Sequence, residues 1–364
     1  MHVILVFPQW LGASGVPWPF GVVGLIGGLL LVVGAYALGR KRASAETNGL
    51  AAAGKWAVDR AGLQATVGVD SESDLVSALE SWVERLATVA PPASGGPGAK
   101  IEADLDMARD FQNAYLNRPY PKVPETHIPG RLRLSFYHRY QAAMALGGDF
   151  FDIVPLAPDA VGVFVADVMG HGARSALITA MMRTLLRDLR GQGRNARHYM
   201  SEINHELCEI MRAFPQPLFA SAFYFVPDTT SRMATFSTAG HPAPFYLHRA
   251  RAQLTRLNVP PPHGAALGIL PEEKYTGGSV RLHDEDLFLF FTDGVYEAMN
   301  ADGEEFGLDR VRAIIKQYQY KSNQVIVDAI MEGIQTFIGD APLNDDICIV
   351  AVDVVTEPEP TTTN

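Results

Sequence analysis

From Arg131 onward, the sequence alternates between apolar strand-like runs and stretches with helical periodicity, and this order limits the fold more than any other feature. Alternating or continuously apolar character predicts strands at 131–140, 161–168, 220–226, 233–238, 245–248, 286–291 and 347–354. Helical spacing predicts helices at 173–189, 197–212, 308–318 and 323–337. Consecutive strands interrupted by paired helices favour a two-layered α+β domain over a regular βαβ repeat.

Four acidic motifs in this region share one expected design, an aspartate at the end of an apolar strand and next to glycine or another acid. They are GGDFFD (147–152), ADVMGHG (166–172), FFTDG (290–294) and NDDI (344–347). A single Asp-Gly pair is typical of a plain turn. Buried carboxylates are costly unless they are paired or bind a cation, and clustered carboxylates suit Mg²⁺ or Mn²⁺. Four such motifs in one domain therefore favour a divalent metal centre over four turns.

A pair of divalent ions can hold a bridging water, lower its pKa and aim it at a phosphorus atom in line with the leaving oxygen. Such chemistry needs no covalent nucleophile. Neither Cys208 nor Cys348 lies in a plausible nucleophile loop, and the sequence has no Gly-x-Ser-x-Gly elbow. The glycines of the motifs let the backbone approach an ion closely, and a backbone carbonyl beside Asp167 can supply one ligand.

The composition excludes two classes of protein. A net charge of −10 argues against broad nucleic-acid binding, which calls for clustered Lys and Arg. The 2 cysteines lie far apart in sequence and have no metal-ligand spacing, so a disulfide framework is not expected.

An N-terminal apolar segment predicts a membrane anchor. Residues 20–38 are uncharged and long enough to span a bilayer as a helix, and the basic cluster Arg40–Arg42 follows them. The positive-inside rule then places the following residues in the cytoplasm. A cleaved signal peptide is the alternative, since Ala35–Ala37 resembles a cleavage site, but the basic residues follow the apolar run rather than precede it.

The segment between this anchor and Arg131 is predicted to be largely helical. Residues 73–89 have apolar positions at helical spacing, and residues 91–98 (PPASGGPG) read as a flexible linker that breaks any helix. A second helix with one apolar stripe is predicted from Lys100 to Leu116.

Residues 131–354 resemble the PPM-type phosphatases, specifically the bacterial SpoIIE/RsbU branch. The resemblance rests on GGDFFD, ADVMGHGARSAL, STAGHPAPFYL, GAALG, FFTDGVYEAMN and NDDICIV, which occur in the family's order. It implies an αββα sandwich, two Mn²⁺ or Mg²⁺ ions, and hydrolysis of phosphoserine or phosphothreonine. The substrate it implies is a phosphorylated anti-anti-sigma (STAS-domain) protein.

The same resemblance assigns the candidate ligands. Asp167 would bridge both ions, and the backbone carbonyl of Val168 would complete one shell. Asp293 and Asp345 would bind the first ion beside Asp167, whereas Asp149 would serve the second ion directly or through water.

Five further residues of these motifs are expected to play supporting parts. Asp152 and Asp346 are interpreted as second-layer or structural acids. His171 is assigned to a local turn or to the surroundings of the substrate rather than to acid catalysis, and His241 to a loop-fixing hydrogen bond. Cys348 stands where the family often has Thr, which affects the fine geometry of the metal loop.

The resulting layout is an anchor at 1–42, a linker at 43–99, a regulatory helix and turn at 100–130, a phosphatase domain at 131–355 and a disordered tail at 356–364. We expect a single-pass protein of the bacterial inner membrane whose regulatory helix pairs two copies. One alternative is a catalytically silent module that docks a phosphoprotein. A cyclic-dinucleotide synthase, suggested by GGDFF, does not account for the later TDG and NDD motifs.

Overall fold

The computed structural model describes residues 97–126, 128–170, 172–212, 218–261 and 264–357. The helices in these ranges are α1 (Pro97–Leu116), α2 (Ala173–Asp188), α3 (Ala196–Met211), α4 (Gly294–Glu297), α5 (Gly307–Gln317) and α6 (Asn323–Ile338). The strands are β1 (Leu132–Gln141), β2 (Asp149–Ala157), β3 (Ala160–Val168), β4 (Ala220–Asp228), β5 (Met233–Ala239), β6 (Phe245–His248), β7 (Gln253–Arg256), β8 (Gly277–Arg281), β9 (Asp286–Phe291) and β10 (Ile347–Thr356).

The strands form two antiparallel sheets of five strands each. The first sheet has the order β1-β10-β9-β6-β7, and the second has the order β2-β3-β4-β5-β8. Helix α6 packs on β1 and β10 of the first sheet, while α2 and α3 pack on the second sheet. The expected two-layered α+β domain is therefore confirmed, with helices outside and sheets inside.

Aromatic side chains join the facing sheets. Phe225 of β4 lies 4.7 Å from Phe288 of β9 between ring centroids, and Phe223 lies 5.9 Å from Phe290. Strand β9 is buried at every position because one face meets the opposite sheet and the other meets helices. Burial on both faces explains why this strand reads as a continuous apolar run rather than an alternating one.

The outer helices bury one apolar stripe each. In α6, Ile326, Ile330 and Ile334 recur every four residues and are all at most 1% exposed, so they lie on the face that covers the first sheet. The side chain of Ser322 caps this helix by accepting a hydrogen bond from the backbone N–H of Val325.

Two boundaries differ from the sequence-based expectation. Helix α1 begins at Pro97, inside the segment that was expected to break any helix, because proline is tolerated in a helix's first turn, where its missing N–H has no partner to lose. Strand β10 continues to Thr356, and Glu357 forms an ion pair with Arg133 at 2.9 Å. The folded domain therefore extends two residues past its expected end at residue 355.

Several predictions fall on residues that the structure does not describe. They include the membrane span at 20–38, the helix at 73–89, His171 and the tail beyond residue 357. Among the helices that the structure describes, none is both long and apolar enough to cross a membrane.

Candidate metal centre

Two of the predicted ligands face each other across one ladder of the second sheet. Asp149 opens β2, Asp167 lies at the end of β3, and the two are directly paired in the antiparallel register. Side chains of such a pair emerge on the same face of the sheet. Asp149 is 2% exposed, whereas Asp167 is partly open to solvent.

The other two predicted ligands come from the first sheet. Asp293 follows the end of β9, and Asp345 precedes the start of the neighbouring antiparallel strand β10, so both loops lie at one edge. Gly294 allows this close approach, because a Cβ there would collide with the backbone carbonyl of Asp346 and lie 3.4 Å from the Asp345 Cβ. The structure therefore brings all four predicted carboxylates to one edge of the sandwich.

A buried threonine connects the acidic groups of the two sheets. The Thr292 hydroxyl donates a hydrogen bond of 2.6 Å to Oδ2 of Asp149, and it accepts one of 3.0 Å from the backbone N–H of Cys348. Thr292 is fully buried. Sequence reasoning gave Thr292 no role, although it lies inside the FFTDG motif.

Asp346 organises the glycine loop that precedes Asp149. Its Oδ2 accepts a hydrogen bond of 2.6 Å from the backbone N–H of Gly148, and its Oδ1 accepts one of 2.8 Å from that of Ala143. The carboxylate is therefore engaged with backbone donors, as suits a supporting residue.

Asp152 lies apart from the cluster. An offset of three residues along a strand reverses the face, so Asp152 points away from the side that carries Asp149. Its carboxylate accepts a hydrogen bond of 2.9 Å from its neighbour Ile153 and pairs with Arg187 of α2 at 3.4 Å. These contacts tie β2 to its covering helix.

Burial and mutual repulsion perturb the carboxylates that face one another. Burial, followed by the charges of Asp293 and Asp345, raises the pKa of Asp167 to about 7. Burial and then the Asp167 charge hold the pKa of Asp149 well above its usual range, and burial and Asp345 raise the pKa of Asp293. A divalent cation at this edge would offset both the burial cost and the repulsion.

Glu297 is a further acid of the cluster that sequence reasoning missed. It lies at the end of the single-turn helix α4, four residues after Asp293, so both side chains lie on the same side of that turn. Burial, followed by the charges of Asp293, Glu305 and Asp345, raises the pKa of Glu297. The i, i+4 spacing inside the FFTDGVYEAMN motif was the available signal.

An open cavity of about 400 Å³ lies beside the acidic edge. Its lining includes Asp167, Asp345, Met169 and Ser221. A phosphorylated side chain brought to this cavity would lie next to the carboxylates, which is the arrangement that metal-assisted hydrolysis needs.

The backbone where β3 ends passes very close to the glycine loop. A Cβ built at Gly148 would lie 2.7 Å from the carbonyl oxygen of Val168 and 2.8 Å from that of Gly170. Only glycine fits there without a shift of the backbone. The Val168 carbonyl, the predicted backbone ligand, thus lies in close contact with the glycine loop.

His241 lies deep beside the cavity. Its Nδ1 is hydrogen bonded to the Ser221 hydroxyl at 2.7 Å, and its backbone N–H donates to the Thr238 hydroxyl at 3.2 Å. Burial lowers the pKa of His241 to about 3, so the ring is neutral at physiological pH. This environment fits the expected loop-fixing role.

Cys348 is fully buried behind the metal loop. Burial, followed by the charges of Asp149 and Asp346, raises the pKa of its thiol well above the usual range. A neutral thiol is a poor nucleophile, so Cys348 is not expected to attack a substrate.

Helix α1 contacts the same glycine loop from outside. The amide of Gln112 donates to the Gly147 carbonyl at 2.9 Å, and the Gly147 N–H donates back to the amide oxygen at 3.2 Å. Arg183 of α2 donates to the carbonyl of Tyr115 at 2.7 Å, which holds the end of α1 on the domain. The helix and the loop before Asp149 are thereby directly joined.

The two-sheet fold with its acidic edge defines a chain of the PPM-type phosphatase class. Residues 157–355 match the family described as Stage II sporulation protein E (SpoIIE). The match covers more than half of the sequence, and the chain belongs to the SpoIIE family. Asp149 lies outside the matched range, whereas Asp167, Asp293 and Asp345 lie inside it.

Curated relatives are similar over part of their length. The chain is 23% identical to phosphoserine phosphatase RsbP of Bacillus subtilis over 69% of this chain and 58% of RsbP. It is 22% identical to phosphoserine phosphatase RsbU of the same organism over 70% of each. Protein IcfG of Synechocystis is 22% identical over 68% of this chain and 41% of that protein. The chain therefore spans only about half of RsbP and IcfG.

Solved structures share the fold. The SiaA-PP2C domain of Pseudomonas aeruginosa has a TM-score of 0.58 at 20% identity and matches 71% of this chain and 99% of that domain. The RsbU and RsbW domains of Rv1364c from Mycobacterium tuberculosis give 0.52 at 23% identity over 66% of this chain and 64% of that one.

Proposed function

We propose that the chain is a metal-dependent protein serine/threonine phosphatase. The observation that carries this proposal is the convergence of Asp149, Asp167, Asp293 and Asp345, from both sheets, on one edge beside an open cavity. The pKa values of Asp149, Asp167 and Asp293 are raised by burial and by one another, which is the electrostatic condition that a divalent cation relieves.

Two Mn²⁺ or Mg²⁺ ions fit this donor set, since the donors are hard oxygen atoms. Asp167 would bridge the ions, Asp293 and Asp345 would share the first, and Asp149 would serve the second, with the Val168 carbonyl completing one shell. When bound, such ions supply an activated water and neutralise the charge that develops on the phosphoryl oxygens.

The remaining residues of the site orient these groups. Thr292 fixes one oxygen of Asp149, so the other oxygen keeps a defined direction. Asp346 holds the loop that presents Asp149 through the backbone N–H of Gly148. The buried, neutral thiol of Cys348 argues against a covalent route and in favour of direct attack by water.

The substrate that we propose is a phosphoserine or phosphothreonine on a regulatory protein, specifically a STAS-type anti-anti-sigma partner. The names of two relatives, phosphoserine phosphatases RsbU and RsbP, support phosphoserine. The family's SpoIIE/RsbU character supports the STAS partner.

We also propose that this site works at the inner face of a bacterial membrane, anchored by residues 20–38, and that the regulatory helix pairs two copies. The uncharged span and the basic residues after it support the anchor. Phe111 of α1 is 55% exposed, which leaves an apolar contact for a second helix.

Hydrolysis of a phosphorylated STAS protein by the full chain tests the phosphatase proposal. Phosphate release should require Mn²⁺ or Mg²⁺ and should be lost in Asp167→Ala and in Asp293→Asn. Asp309→Asn is the matched control, because Asp309 is exposed in the first turn of α5, away from the cluster.

Two outcomes would count against the proposal. Phosphate release by the Asp293→Asn variant at the rate of the unmodified chain would show that the acidic edge does not take part in the reaction. Tight binding of the phosphoprotein without turnover, across a series of metals, would instead support a silent docking module.

A further inference from the structure

A second group of potential metal ligands lies at the opposite end of β9 from the acidic edge. Asp286 begins β9, and His248 ends the neighbouring strand β6, where the two are directly paired in register. His283 precedes Asp286 by three residues in the turn that leads into β9. The strand itself separates this group from the Asp293 end by about 17 Å at 3.3 Å per residue.

The carboxylate lies between the two imidazoles. Nδ1 of His248 is 3.2 Å from Oδ1 of Asp286, and Nδ1 of His283 is 3.3 Å from Oδ2. One nitrogen or oxygen from each of the three residues falls within 4.8 Å of the others. In a tetrahedral zinc site with bonds of about 2.1 Å, ligand atoms lie about 3.4 Å apart, so the separation between His248 Nδ1 and Asp286 Oδ1 already matches. The contact of His283 Nδ1 is a hydrogen bond to the other oxygen, Oδ2.

Two of these atoms are buried and have no hydrogen-bond partner. They are Nδ1 of His248 and Oδ1 of Asp286, which face each other at a separation that lacks hydrogen-bond geometry. The side chain of Asp286 is 0% exposed and that of His248 is 10% exposed. Buried polar atoms without a partner are costly, and an ion between them would satisfy both.

The second carboxylate oxygen is held in place by donors around it. Oδ2 of Asp286 accepts hydrogen bonds from the Tyr246 hydroxyl at 3.0 Å and from the backbone N–H of His283 at 2.8 Å. Such outer contacts orient a ligating carboxylate in metal sites. They also leave Oδ1 as the free, directed oxygen.

One side chain must move for an ion to enter. The rings of His248 and His283 are stacked, with centroids 4.7 Å apart and planes inclined by 15°. A metal ion lies in the plane of each imidazole that binds it, so the two rings cannot bind one ion while nearly parallel. The side chain of His283 is 39% exposed and can turn, whereas that of His248 is fixed in the core.

We propose that His248, His283 and Asp286 bind one divalent transition-metal ion of the zinc type, separate from the acidic centre. Two imidazoles and one carboxylate suit Zn²⁺, whereas a set of oxygen donors suits Mg²⁺ or Mn²⁺. The ion would join the turn before β9 to the end of β6, and a water molecule would take the fourth position.

Zinc binding by the full chain in excess Mg²⁺ tests this assignment, since Mg²⁺ competes poorly for imidazole. The loss of bound zinc in His283→Ala distinguishes this site from the oxygen-rich centre. After chelation and dialysis, Zn²⁺ is titrated against a chromophoric chelator. We expect one equivalent that Mg²⁺ does not displace. In His283→Ala its affinity should fall by at least about 10-fold, the lower end of the effect of losing even an outer contact.

His205→Ala is the matched control, because His205 is exposed on α3 and lies outside the cluster. It should keep the equivalent of Zn²⁺, and Zn²⁺ should raise its melting temperature as in the unmodified chain. Co²⁺ should give the strong visible absorption of a tetrahedral site with nitrogen ligands in the control but not in His283→Ala.

Two results would overturn the assignment. One is the absence of any Mg²⁺-resistant Zn²⁺ in the unmodified chain, which would leave the two imidazoles and the carboxylate as a structural cluster without a metal ion. The other is unchanged zinc affinity in His283→Ala. A metal-free melting temperature of His283→Ala equal to that of the unmodified chain would show that the variant is folded and lacks only a metal ligand.

Discussion

Replacing Asp167 with asparagine should stabilise the metal-free protein, although it removes a central residue of the proposed site. Asp167 faces Asp149 across the β2–β3 ladder, and burial together with neighbouring negative charges raises the pKa of both carboxylates. Asparagine keeps the size and the hydrogen-bonding atoms of the side chain but removes its charge. The repulsion from Asp293 and Asp345 is removed with that charge.

The magnitude follows from the pKa of Asp167, which rises from its usual value of 3.8 to about 7. A shift of roughly three units corresponds to about 4 kcal/mol at 1.36 kcal/mol per unit. Solvent reaches part of the side chain and screens the charge, so we expect about 2–4 kcal/mol. Because the pKa of Asp167 is higher in the folded state than in the unfolded state, its contribution to the stability of the unmodified protein is fully present below pH 4. This contribution is lost as the pH rises through 7.

Urea unfolding of the chelated proteins between pH 4 and pH 8 measures this effect. The free energy of unfolding of Asp167→Asn should equal that of the unmodified protein near pH 4 and exceed it by the full amount above pH 7. Saturating Mn²⁺ should reverse the order, because the variant loses an ion that stabilises the folded state.

Asp152→Asn is the control for this experiment. Asp152 pairs with Arg187 on the other face of β2, so its neutralisation should give no gain in stability. Equal free energies of unfolding for Asp167→Asn and the unmodified protein above pH 7 would refute the reasoning from buried charge. A difference between them that does not change with pH would also refute it.

Four further predictions concern the surroundings of the site. Thr292→Val should lower kcat by about 10-fold or more, because the lost hydrogen bond to the Asp149 carboxylate is charge-assisted and worth about 1.5–3 kcal/mol. Thr292→Ser should recover kcat, and steady-state kinetics measure both variants. Gly148→Ala should destabilise the domain by about 1–3 kcal/mol in denaturant unfolding, since the added methyl group has no room. Iodoacetamide should not inhibit the native enzyme, because the thiol of Cys348 is buried and neutral; rapid inactivation with labelling there would contradict the water route. Gln112→Ala should lower the free energy of unfolding by about 1–3 kcal/mol, because two hydrogen bonds to Gly147 are lost; thermal or urea unfolding measures this. An unchanged free energy of unfolding would show that these bonds do not stabilise the contact between α1 and the loop.

The sequence predicted the central strands because their physical signal is strong. β9 and β10 are covered on both faces over most of their length, so residues 287–291 and 347–352 are unbroken apolar runs. β7 and β8 were missed, since they are four and five residues long and partly exposed, which leaves no apolar pattern to detect. β2 was missed as a strand because acidic residues open it and Pro155 interrupts it.

The site was predictable as a set of aspartates but not as an arrangement. The motifs identified Asp149 and Asp293, yet the bond from Thr292 to Asp149 joins residues 143 positions apart. Only the packing of one sheet on the other creates that contact, and no local pattern records it. Glu297 was closer to prediction, because its spacing from Asp293 places both on one side of a helical turn.

The threonine bridge between the sheets has a consequence for how the protein assembles. Half of the acidic edge belongs to the β2–β3 ladder and the other half to the loops at the ends of β9 and β10. A folding intermediate with only one sheet in place therefore holds only half of the carboxylates and has little hold on a divalent ion. The complete set of carboxylates therefore exists only once the two sheets are packed on each other.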